Sequence, residues 1–252
     1  MNPPRLELDE VAFAYPGGEA VISGLSLVFS AAATAIIGAN GAGKSTLLQL
    51  LVGALFPSSG EIRLDGEILS RNTAKLFRRR LGLTFQDPDD QLFLSSIGED
   101  AAFGPRHQGL SPAEAAARAR EALGLVGLAE LAGRPPFRLS GGERRLAALA
   151  SVLSMRPDLL LLDEPTAALD PRAKRRVREV LAGLEQPKII TTHDLDLVWD
   201  LCEQTIILKN GGVAASGGSR EILADAGLLE SCGLELPPSL RGCPRCGGGK
   251  TR

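Results

Sequence analysis

The sequence has few cysteines, almost no net charge and no long apolar run. Four cysteines in 252 residues are too few for a disulfide-bonded scaffold, which favours a reducing compartment. The formal net charge of −2 excludes a generally basic nucleic-acid-binding protein, and we expect no nucleic-acid partner. No apolar run approaches the roughly 18 residues of a membrane-spanning helix, and the N-terminus lacks the apolar segment typical of a signal peptide. Any role at a membrane is therefore expected to come through a partner.

What is present is the composition of a globular protein, with 44% hydrophobic and 23% charged residues. The length fits one large domain, which we predict over residues 1–236, with a helical part at about 87–156. Residues 237–252 are rich in proline, glycine and arginine, which predicts a flexible C-terminal tail. Within it, Cys243 and Cys246 have the spacing of metal ligands. A zinc site takes further ligands, so free thiols are the favoured interpretation.

Short strands and helices alternate along the chain. Strand patterns within residues 5–37 and at 61–64 come first, and helical patterns dominate the middle. The unbroken apolar run Leu159–Leu162 predicts a parallel strand buried on both faces, and Lys188–Thr192 predicts another. This order predicts an α/β fold with a mainly parallel sheet, to which antiparallel strands and a group of helices are added.

Two serines carry the sequence signal of a helix start. Ser111 and Ser140 are each followed three residues later by a glutamate, Glu114 and Glu143, as in a capping box. The first of these helices is predicted to end near residue 124. His107 lies before it, in a predicted loop after a Gly-Pro pair, and no role is assigned to it.

Residues 38–45, with the sequence GANGAGKS, fit the phosphate-binding pattern G-x-x-x-x-G-K-[ST]. A predicted strand precedes this segment and an apolar helix follows it, which makes a chance glycine-rich turn a poor alternative. The N–H groups of the loop and the helix N-terminus attract phosphate oxygens. Lys44 is predicted to reach the β- and γ-phosphates of a nucleotide, and Ser45 is predicted to ligate Mg²⁺.

Three further polar residues follow predicted strands. Asp163 and Glu164 come directly after the apolar run, at the edge where parallel sheets bind ligands. Asp163 is predicted to hold Mg²⁺ through water and Glu164 to orient or deprotonate an attacking water; an acidic turn is the plain alternative. His193 ends another strand and could donate to a γ-phosphate oxygen, although a lone histidine is more often solvated or part of a core.

A second anion-binding segment lies about a hundred residues beyond the first. Residues Leu139–Glu143 open a helix and expose backbone N–H groups. Two such segments for one γ-phosphate suggest a ligand shared between two copies of the chain. Gln86 follows a predicted strand, and its amide could contact both Mg²⁺ and a water. Taken alone, its residue type indicates a surface glutamine.

Together these motifs resemble those of the ATP-binding cassette (ABC) ATPases over residues 5–230. The matching segments, in chain order, are residues 38–45, Gln86, Leu139–Glu143, Leu159–Glu164, Ala167–Asp170 and His193. The Leu-Ser-Gly-Gly signature is not shared with other phosphate-loop ATPases. The resemblance implies a phosphate-loop ATPase core, an antiparallel β-subdomain and an α-helical signature subdomain, with ATP and Mg²⁺ as cofactors.

The resemblance also implies roles that the residues alone do not give. Tyr15 would stack on adenine, Asp170 would couple two sites, and Gln86 would sense Mg²⁺ and a membrane partner. Ser140 and Gly142 would contact the γ-phosphate bound to the opposite subunit. The implied catalytic residues are Glu164, His193, Gln86 and Lys44. The implied metal ligands are Ser45, Gln86 and Asp163. The implied nucleotide-binding residues are Tyr15, Gly38, Asn40, Gly41, Gly43, Lys44, Ser45, Thr46, Ser140, Gly142 and Asp170.

Two segments, Phe85–Phe93 and Asp100–Pro105, are most similar to the energy-coupling-factor (ECF) subgroup, which includes cobalt, nickel and vitamin importers. The similarity implies the ATPase of an importer, peripheral at the cytoplasmic face of the cell membrane. It would form a head-to-tail dimer with itself or with a similar ABC ATPase. The dimer would drive a transmembrane coupling subunit and a substrate-binding membrane subunit. The acids Asp87, Asp89 and Asp90 are predicted to form a socket for arginines of the membrane partner.

Three other functions fit the sequence less well. ABC ATPases of DNA repair and chromosome structure insert a long coiled coil before the signature, whereas the intervening residues here carry no heptads. Translation-type ABC proteins carry two cassettes, and this chain shows one. A soluble assembly complex, such as one for iron–sulfur clusters, is the main alternative, and residues 87–93 argue against it by resemblance.

Two residues depart from the family pattern. Glu143 stands where glutamine is commoner, and Leu146 stands where a basic residue is usual. Both lie on the helix that follows the signature, away from the predicted chemistry. The transported substrate and the choice between homodimer and heterodimer stay open.

Overall fold

The structure is a computed structural model that describes residues 4–241. The predicted tail cysteines, Cys243 and Cys246, lie outside the described residues. At the start of the predicted tail, residues Pro238–Leu240 form a 3-10 turn. Both the backbone N–H and the hydroxyl of Ser239 donate to Asp196 Oδ1, at 3.1 and 2.7 Å, so this turn is attached to the rest of the domain.

A six-stranded, mainly parallel sheet forms the centre of the molecule, in the strand order β10-β9-β3-β8-β7-β6. Strand β10 is antiparallel to β9, and the other neighbours are parallel. This confirms the predicted α/β fold. The strands are β3 (Ala33–Ile37), β6 (Leu81–Thr84), β7 (Leu159–Asp163), β8 (Lys188–Thr191), β9 (Gln204–Lys209) and β10 (Gly212–Gly218).

The apolar run in β7 fills both faces of this sheet. Leu160 and Leu162 belong to one hydrophobic cluster, and Leu159 and Leu161 belong to another on the opposite face. Successive side chains of a strand point to opposite faces, so a strand covered on both sides needs apolar residues at every position. The absence of alternation in this run is therefore the signal of a central strand.

A second, antiparallel sheet of four strands packs over the first, in the order β2-β1-β4-β5. Its strands are β1 (Leu6–Ala14), β2 (Ala20–Phe29), β4 (Ser59–Leu64) and β5 (Glu67–Ile68). The sequence predicts β2 only from Leu25 onward. The structure begins it five residues earlier, because Ala20 and Ile22 pair with β1, although the exposed pair Ser23-Gly24 interrupts the apolar pattern.

Helices α3, α4 and α5 are inserted between β6 and β7 and pack on one another. The predicted capping boxes at Ser111 and Ser140 are both present. The nine helices of the described residues are α1 (Lys44–Leu51), α2 (Ala74–Arg80), α3 (Ile97–His107), α4 (Pro112–Leu125), α5 (Gly141–Leu153), α6 (Pro171–Gly183), α7 (Leu195–Leu201), α8 (Ser219–Ala224) and α9 (Ala226–Ser231).

The predicted loop around His107 is wrong, because His107 is the last residue of helix α3. Pro105 lies inside the last turn of that helix and is buried. A proline removes one backbone donor, so the ladder of α3 lacks one hydrogen bond here, yet the helix continues for two residues beyond it. His107 Nδ1 lies 3.0 Å from the carbonyl oxygen of Phe103, one turn back on the same helix.

The strand order places the predicted functional segments side by side. Strands β3, β8, β7 and β6 are neighbours, and all run in one direction. Their carboxyl ends lead into the phosphate loop, His193, the Asp163–Glu164 pair and Gln86, respectively. In parallel sheets this edge is where ligands bind. Among the described residues, no helix combines the length and apolarity needed to cross a membrane.

Candidate nucleotide-binding and catalytic site

A cavity of ≈ 560 Å³ opens at the carboxyl edge of the parallel strands. It brings together the phosphate loop, the acidic strand end and the predicted histidine, which lie far apart in the sequence. Its lining residues are Val21, Asn40, Gly41, Gly43, Lys44, Ser45, Thr46, Gln86, Glu164, Thr166, Ala167, Lys174, His193 and Asp194.

The phosphate loop depends on a glycine at the start of helix α1. Gly43 caps that helix with a φ of 96°, in the left-handed region that side chains disfavour. A Cβ there would lie 2.8 Å from Ile22 Cδ1 and 3.0 Å from the Val21 carbonyl oxygen. Only a glycine fits both constraints, and it lets the first N–H groups of the helix face an anion.

Lys44 is held inside the loop that it follows. Its ammonium donates to the carbonyl oxygens of Gly38 (2.9 Å) and Ala39 (3.1 Å). Burial lowers the pKa of Lys44, while the nearby carboxylates of Glu164 and Asp163 raise it. The side chain therefore presents a charge at the floor of the cavity, where it can contact phosphate oxygens.

Tyr15 lies at the entrance side of the phosphate loop. Its hydroxyl is 3.3 Å from Thr46 Oγ1, and its ring packs edge-on against Phe13 at 4.9 Å between centroids. Tyr15 is 43% exposed, so part of its side chain is open to a partner. The predicted stacking on adenine stays a prediction.

The acidic pair at the end of β7 is oriented by the neighbouring strand. Thr191 Oγ1 donates to Asp163 Oδ1 at 2.6 Å, and the backbone N–H of Glu164 donates to the Thr191 carbonyl oxygen at 3.0 Å. Glu164 has a φ of 48°, a conformation that is rare for a side-chain-bearing residue and often found at functional sites. The sharp turn directs its carboxylate into the cavity.

The two oxygens of Glu164 have different surroundings. Oε2 accepts a hydrogen bond from the backbone N–H of His193 at 3.2 Å. Oε1 is buried and has no hydrogen-bond partner within residues 4–241. Burial raises the pKa of Glu164, and this rise is opposed by the His193 N–H and by the charge of Lys44. A buried carboxylate with one unbonded oxygen is suited to accept a proton.

His193 is positioned between the lysine and the glutamate. Its Nε2 lies 3.1 Å from Lys44 Nζ and 3.4 Å from Glu164 Oε1. Since an ammonium can only donate, Nε2 accepts from it, and the neutral ring carries its proton on Nδ1. Burial and the charge of Lys44 both lower the pKa of His193, which favours this neutral form.

A second cavity of ≈ 710 Å³ adjoins the first and contains the three predicted metal ligands. Ser45, Gln86 and Asp163 all line it and offer oxygen donors. The described residues contain no cluster of three or more histidine, cysteine or acidic side chains that could form a cage for a metal. Mg²⁺ is usually bound by one or two carboxylates together with phosphates and waters, so a hydroxyl, an amide and one carboxylate suit it.

The signature segment forms the start of helix α5. Ser140 Oγ donates to Glu143 Oε2 at 2.7 Å, and the Ser140 N–H donates to the same oxygen at 2.8 Å. These bonds lower the pKa of Glu143. At Gly142, a Cβ would lie 2.9 Å from Ala173 Cβ, which shows how closely α5 approaches α6.

The structure does not bring every predicted residue to one place. Gly141 of the signature segment lines the second cavity, whereas the phosphate loop lines the first. The predicted residues that line neither cavity are Tyr15, Gly38, Ser140, Gly142 and Asp170. Asp170 is exposed and caps helix α6, with Oδ1 accepting from the N–H groups of Arg172 (2.8 Å) and Ala173 (2.9 Å). One chain thus holds two separate anion-binding helix starts.

Three residues near the site carry no sequence motif that points to them. Thr166 donates to Asp194 Oδ2 at 3.1 Å, and Asp194 also receives the guanidinium of Arg178. These contacts tie the segment after Glu164 to the segment after His193. A basic helix next to an acidic strand end could have suggested such pairs, but their partners are set by the fold.

The fold and the site define a class of protein, an ATP-binding cassette with a phosphate loop, a strand-end acidic pair and a capped signature helix. The chain matches the family model for ABC transporters over residues 24–167. It is 48% identical to a putative ABC transporter ATP-binding protein of Geobacter sulfurreducens, over 96% of this chain and 98% of that one. It is 41% identical to the energy-coupling factor transporter ATP-binding protein EcfA of Carboxydothermus hydrogenoformans, over 92% of this chain and 87% of that one. The chain therefore belongs to the ABC transporter ATP-binding proteins.

Solved structures agree with this assignment. The structure of cbiO1 from Clostridium perfringens, part of the ABC transporter complex cbiONQ, has a TM-score of 0.80 at 35% identity, covering 92% of this chain and 94% of that chain. A dimeric bacterial ABC transporter cassette has a TM-score of 0.77 at 27% identity, covering 85% of this chain and 99% of that chain. This chain is an ATP-binding subunit of a transporter, and it hydrolyses ATP in a reaction coupled to transport.

Proposed function

We propose that the chain is the ATPase of an ECF-type importer for cobalt, nickel or a vitamin, attached to the cytoplasmic face of the membrane through membrane subunits. The observation that carries this proposal is an aromatic and acidic groove beside Gln86. The similarity to an ECF ATP-binding protein and to cbiO1 of a cbiONQ complex supports it.

In the proposed reaction, Glu164 accepts a proton from the attacking water through its unbonded Oε1. The water oxygen forms a bond to the γ-phosphorus while the bond to the leaving ADP oxygen breaks. Lys44 and the loop N–H groups bind the phosphates, and His193 lies within reach of the transferred group. Ser45, Gln86 and Asp163 would hold Mg²⁺, which, when bound, neutralises the charge that develops on the phosphates.

The active unit in this proposal is a head-to-tail dimer, formed with a second copy or with a similar ABC ATPase. The phosphate loop lines the cavity that would hold ATP, whereas Ser140 and Gly142 lie outside it. In the dimer, the signature helix of one subunit would complete the site of the other, with Tyr15 against the adenine. The similar dimeric cassette supports this arrangement.

The groove for the membrane partner lies between the β6–α3 loop (residues 85–96) and helices α3 and α5. Its exposed apolar side chains are Phe85, Phe93 and Phe103, and Phe93 is 64% exposed. Asp90 and Asp100 also line it. Aromatic walls with acids between them suit an amphipathic helix that presents a basic side chain.

The two acids of the groove differ in exposure. Asp90 is exposed, while Asp100 is buried. Asp100 Oδ1 accepts from the N–H groups of Phe93 (3.1 Å) and Leu94 (3.0 Å), and its Oδ2 lacks a partner within the described part of the chain. Burial raises the pKa of Asp100. Asp100 Oδ2 is thus an unbonded but covered oxygen beneath the groove, and Asp90 is the acid that is open to an arriving cation.

Of the three acids predicted to form a socket for partner arginines, Asp89 is already paired within the chain. Arg144 Nη1 donates to both carboxylate oxygens of Asp89 at 2.9 Å, so Asp89 already has a cationic partner within the chain. Asp87 uses Oδ1 to accept the N–H of Asp89. Asp90 is therefore the exposed acid that the groove offers to a partner.

Co-purification with the membrane subunit encoded nearest to this gene tests the proposal. Asp90→Asn removes a groove charge, and losing one partner of a desolvated pair costs roughly 2–5 kcal/mol, so complex yield should fall at least tenfold. Asp89→Asn is the matched control, since it changes a neighbouring acid that faces Arg144, and it should retain the complex. Both variants should bind ATP as the parent does.

Two outcomes would contradict the proposal. One is that Asp90→Asn forms the membrane complex and supports uptake as well as the parent. The other is that the native chain is purified from cells in a complex with soluble assembly proteins alone, which would favour the iron–sulfur-type alternative.

A further inference from the structure

Helix α5 buries one cation beside the site. Arg145 lies in the second turn of helix α5 and is 8% exposed. Its Nη1 donates to the carbonyl oxygens of Gln86 and Phe85, the latter at 3.4 Å. Its Nη2 donates to the carbonyl oxygen of Ala167 at 3.2 Å. A single side chain thus connects the signature helix to the β6–α3 loop and to the β7–α6 loop (residues 164–170).

These bonds are unusual for a buried arginine, because all three acceptors are backbone carbonyls. Within residues 4–241, Arg145 forms no ion pair within 4.0 Å. Asp87, Asp163 and Glu164 act on it from further away and oppose the fall in its pKa that burial causes. Burying a cation costs free energy unless it is paired or hydrogen-bonded. Here the guanidinium is hydrogen-bonded to the backbone carbonyls of two loops and not to a carboxylate.

The residue after Arg145 on helix α5 is apolar and buried. Leu146 is 1% exposed and packs in the hydrophobic core, where the family resemblance leads one to expect a basic residue. Arg145 is the cation that α5 directs between the two loops. Its planar guanidinium can hold two separate acceptors at fixed angles, which an ammonium cannot do equally well.

We propose that Arg145 is a positioning residue for ATP hydrolysis, which holds the Gln86 loop and the Ala167 loop in fixed places relative to the signature helix. The inference rests on the proposed role of Gln86 as a metal contact. Gln86 and Ala167 both line the two cavities, at the boundary between them. A shift of either backbone would displace the amide of Gln86 or the residues that follow Glu164.

This arrangement also links the two ends of the proposed dimer site. Arg145 lies five residues after Ser140, on the helix that would contact the partner's nucleotide. It binds the loops that contact this chain's own nucleotide. Movement of the signature helix on closure would therefore be transmitted through the guanidinium to Gln86 and to the β7–α6 loop.

The fold does not depend on Arg145 alone. Gln91 independently ties the β6–α3 loop to α5, since its amide donates to the Ala148 carbonyl oxygen (2.7 Å) and to Ser151 Oγ (2.8 Å). Gln91 Oε1 also accepts from the N–H of Phe85 at 3.1 Å. Removing the guanidinium should therefore loosen the loops locally while the helix stays docked.

The test is the steady-state kinetics of Arg145→Met in the full chain, because methionine keeps an unbranched stem and removes all three hydrogen bonds. Misplaced catalytic groups cost up to about a hundredfold, so kcat should fall roughly 10–100-fold. The Mg²⁺ concentration for half-maximal rate should rise, while KM for ATP and the thermal midpoint stay within about twofold and a few degrees of the parent. Arg144→Met, which removes the adjacent guanidinium that pairs with Asp89, is the matched control.

A double-mutant cycle separates this inference from the proposed role of Gln86. If Arg145 acts through Gln86, Arg145→Met should cost much less in a Gln86→Ala background than in the parent. If both single variants are slow and their effects on kcat add fully in the double variant, the inference is overturned. A parent-like kcat in Arg145→Met would overturn it as well. A parent-like rate in Gln86→Ala itself would instead refute the role of Gln86. If Arg145→Met does not fold, Arg145→Lys keeps the buried charge and enters the same cycle.

Discussion

At the scale of single residues, the site depends on environments that a motif does not specify. The phosphate-loop pattern is local, so Lys44 and Ser45 could be predicted from eight adjacent letters. Glu164 could be placed at a strand end, but its surroundings are set by Thr191, the last residue of β8, and by His193 in the segment that follows that strand. Arg145 had no signal at all, because an arginine in a helix is usually solvated, and only the fold places carbonyls around it.

Glu164→Gln tests the proposed base. The substitution keeps the shape and the ability to accept from the His193 N–H but removes the basicity. Turnover should fall by roughly 10²–10⁴, the contribution of positioned acid–base groups, while ATP binding survives. A variant that hydrolyses ATP near the parent rate, alone or with its membrane partners, would assign the base elsewhere.

The same variant should be more stable than the parent at neutral pH. Burial holds the folded-state pKa of Glu164 above its ordinary value, so the folded chain binds this proton more tightly than the unfolded chain. Its contribution to stability is therefore greatest at low pH and is lost as pH rises from the unfolded pKa, about 4.3, through the raised folded pKa. Glutamine does not titrate, so it loses no stability in this pH range. The free energy of unfolding of the variant should therefore rise relative to that of the parent as pH increases through this range.

Urea unfolding at several pH values measures this difference. Glu114→Gln is the control of opposite sign, because hydrogen bonds from Ser111 lower the pKa of Glu114 and stabilise its charged form. That variant should show no gain at pH 7. The prediction would be wrong if Glu164→Gln and the parent differed in free energy of unfolding by the same amount at every pH. That result would show that the burial of this carboxylate has no energetic consequence.

At the scale of elements, periodicity and caps were sufficient for most strands and helices. The run in β7 predicted a central strand, and the Ser-x-x-Glu pattern predicted both capped helices. Sequence reasoning failed where an exposed Ser-Gly pair interrupts the apolar pattern of a strand, as at residues 23–24 of β2, and where a buried proline stays inside a helix, as in α3. In both cases tertiary packing decided against the local signal.

The capping box of α5 has a consequence for dimer formation. Glu143 binds Ser140 as a carboxylate, so it places a negative charge where the partner's γ-phosphate would arrive. Glu143→Gln keeps the box, since glutamine serves equally in it, and removes that charge. Unit charges about 4 Å apart in water interact by about 1 kcal/mol, or roughly fivefold per site, so an ATP-dependent homodimer with two such sites should tighten roughly 25-fold.

Sedimentation of Glu143→Gln, combined with Glu164→Gln and ATP, measures the gain. Glu114→Gln, in the same kind of box at the start of α4, should leave the dimer affinity unchanged. Weaker association after Glu143→Gln would mean that the carboxylate itself supports the dimer, and the electrostatic argument would fail.

At the scale of the whole molecule, the account depends on a site that one chain does not complete. The sequence predicted two anion-binding segments far apart, and in the structure only the phosphate loop lines the first cavity, while Ser45 and Gly141 each contribute to the second. What the sequence could not predict is the surface around them. Lys174, on helix α6, lines the first cavity, and its Nζ lies 3.8 Å from Asp194 Oδ2. Such pairings depend on long-range packing rather than on residue type.

The most direct test of the central claim is light scattering of Glu164→Gln with ATP and Mg²⁺, with and without Ser140→Arg. The account predicts a particle of two chains for Glu164→Gln, and a single chain once the bulky arginine occupies the shared site. Ser111→Arg, which removes the equivalent cap at α4, controls for the loss of a helix cap, worth about 1 kcal/mol, and should still give the dimer. A dimer that forms equally well with Ser140→Arg would contradict the shared site, and with it the proposed head-to-tail arrangement.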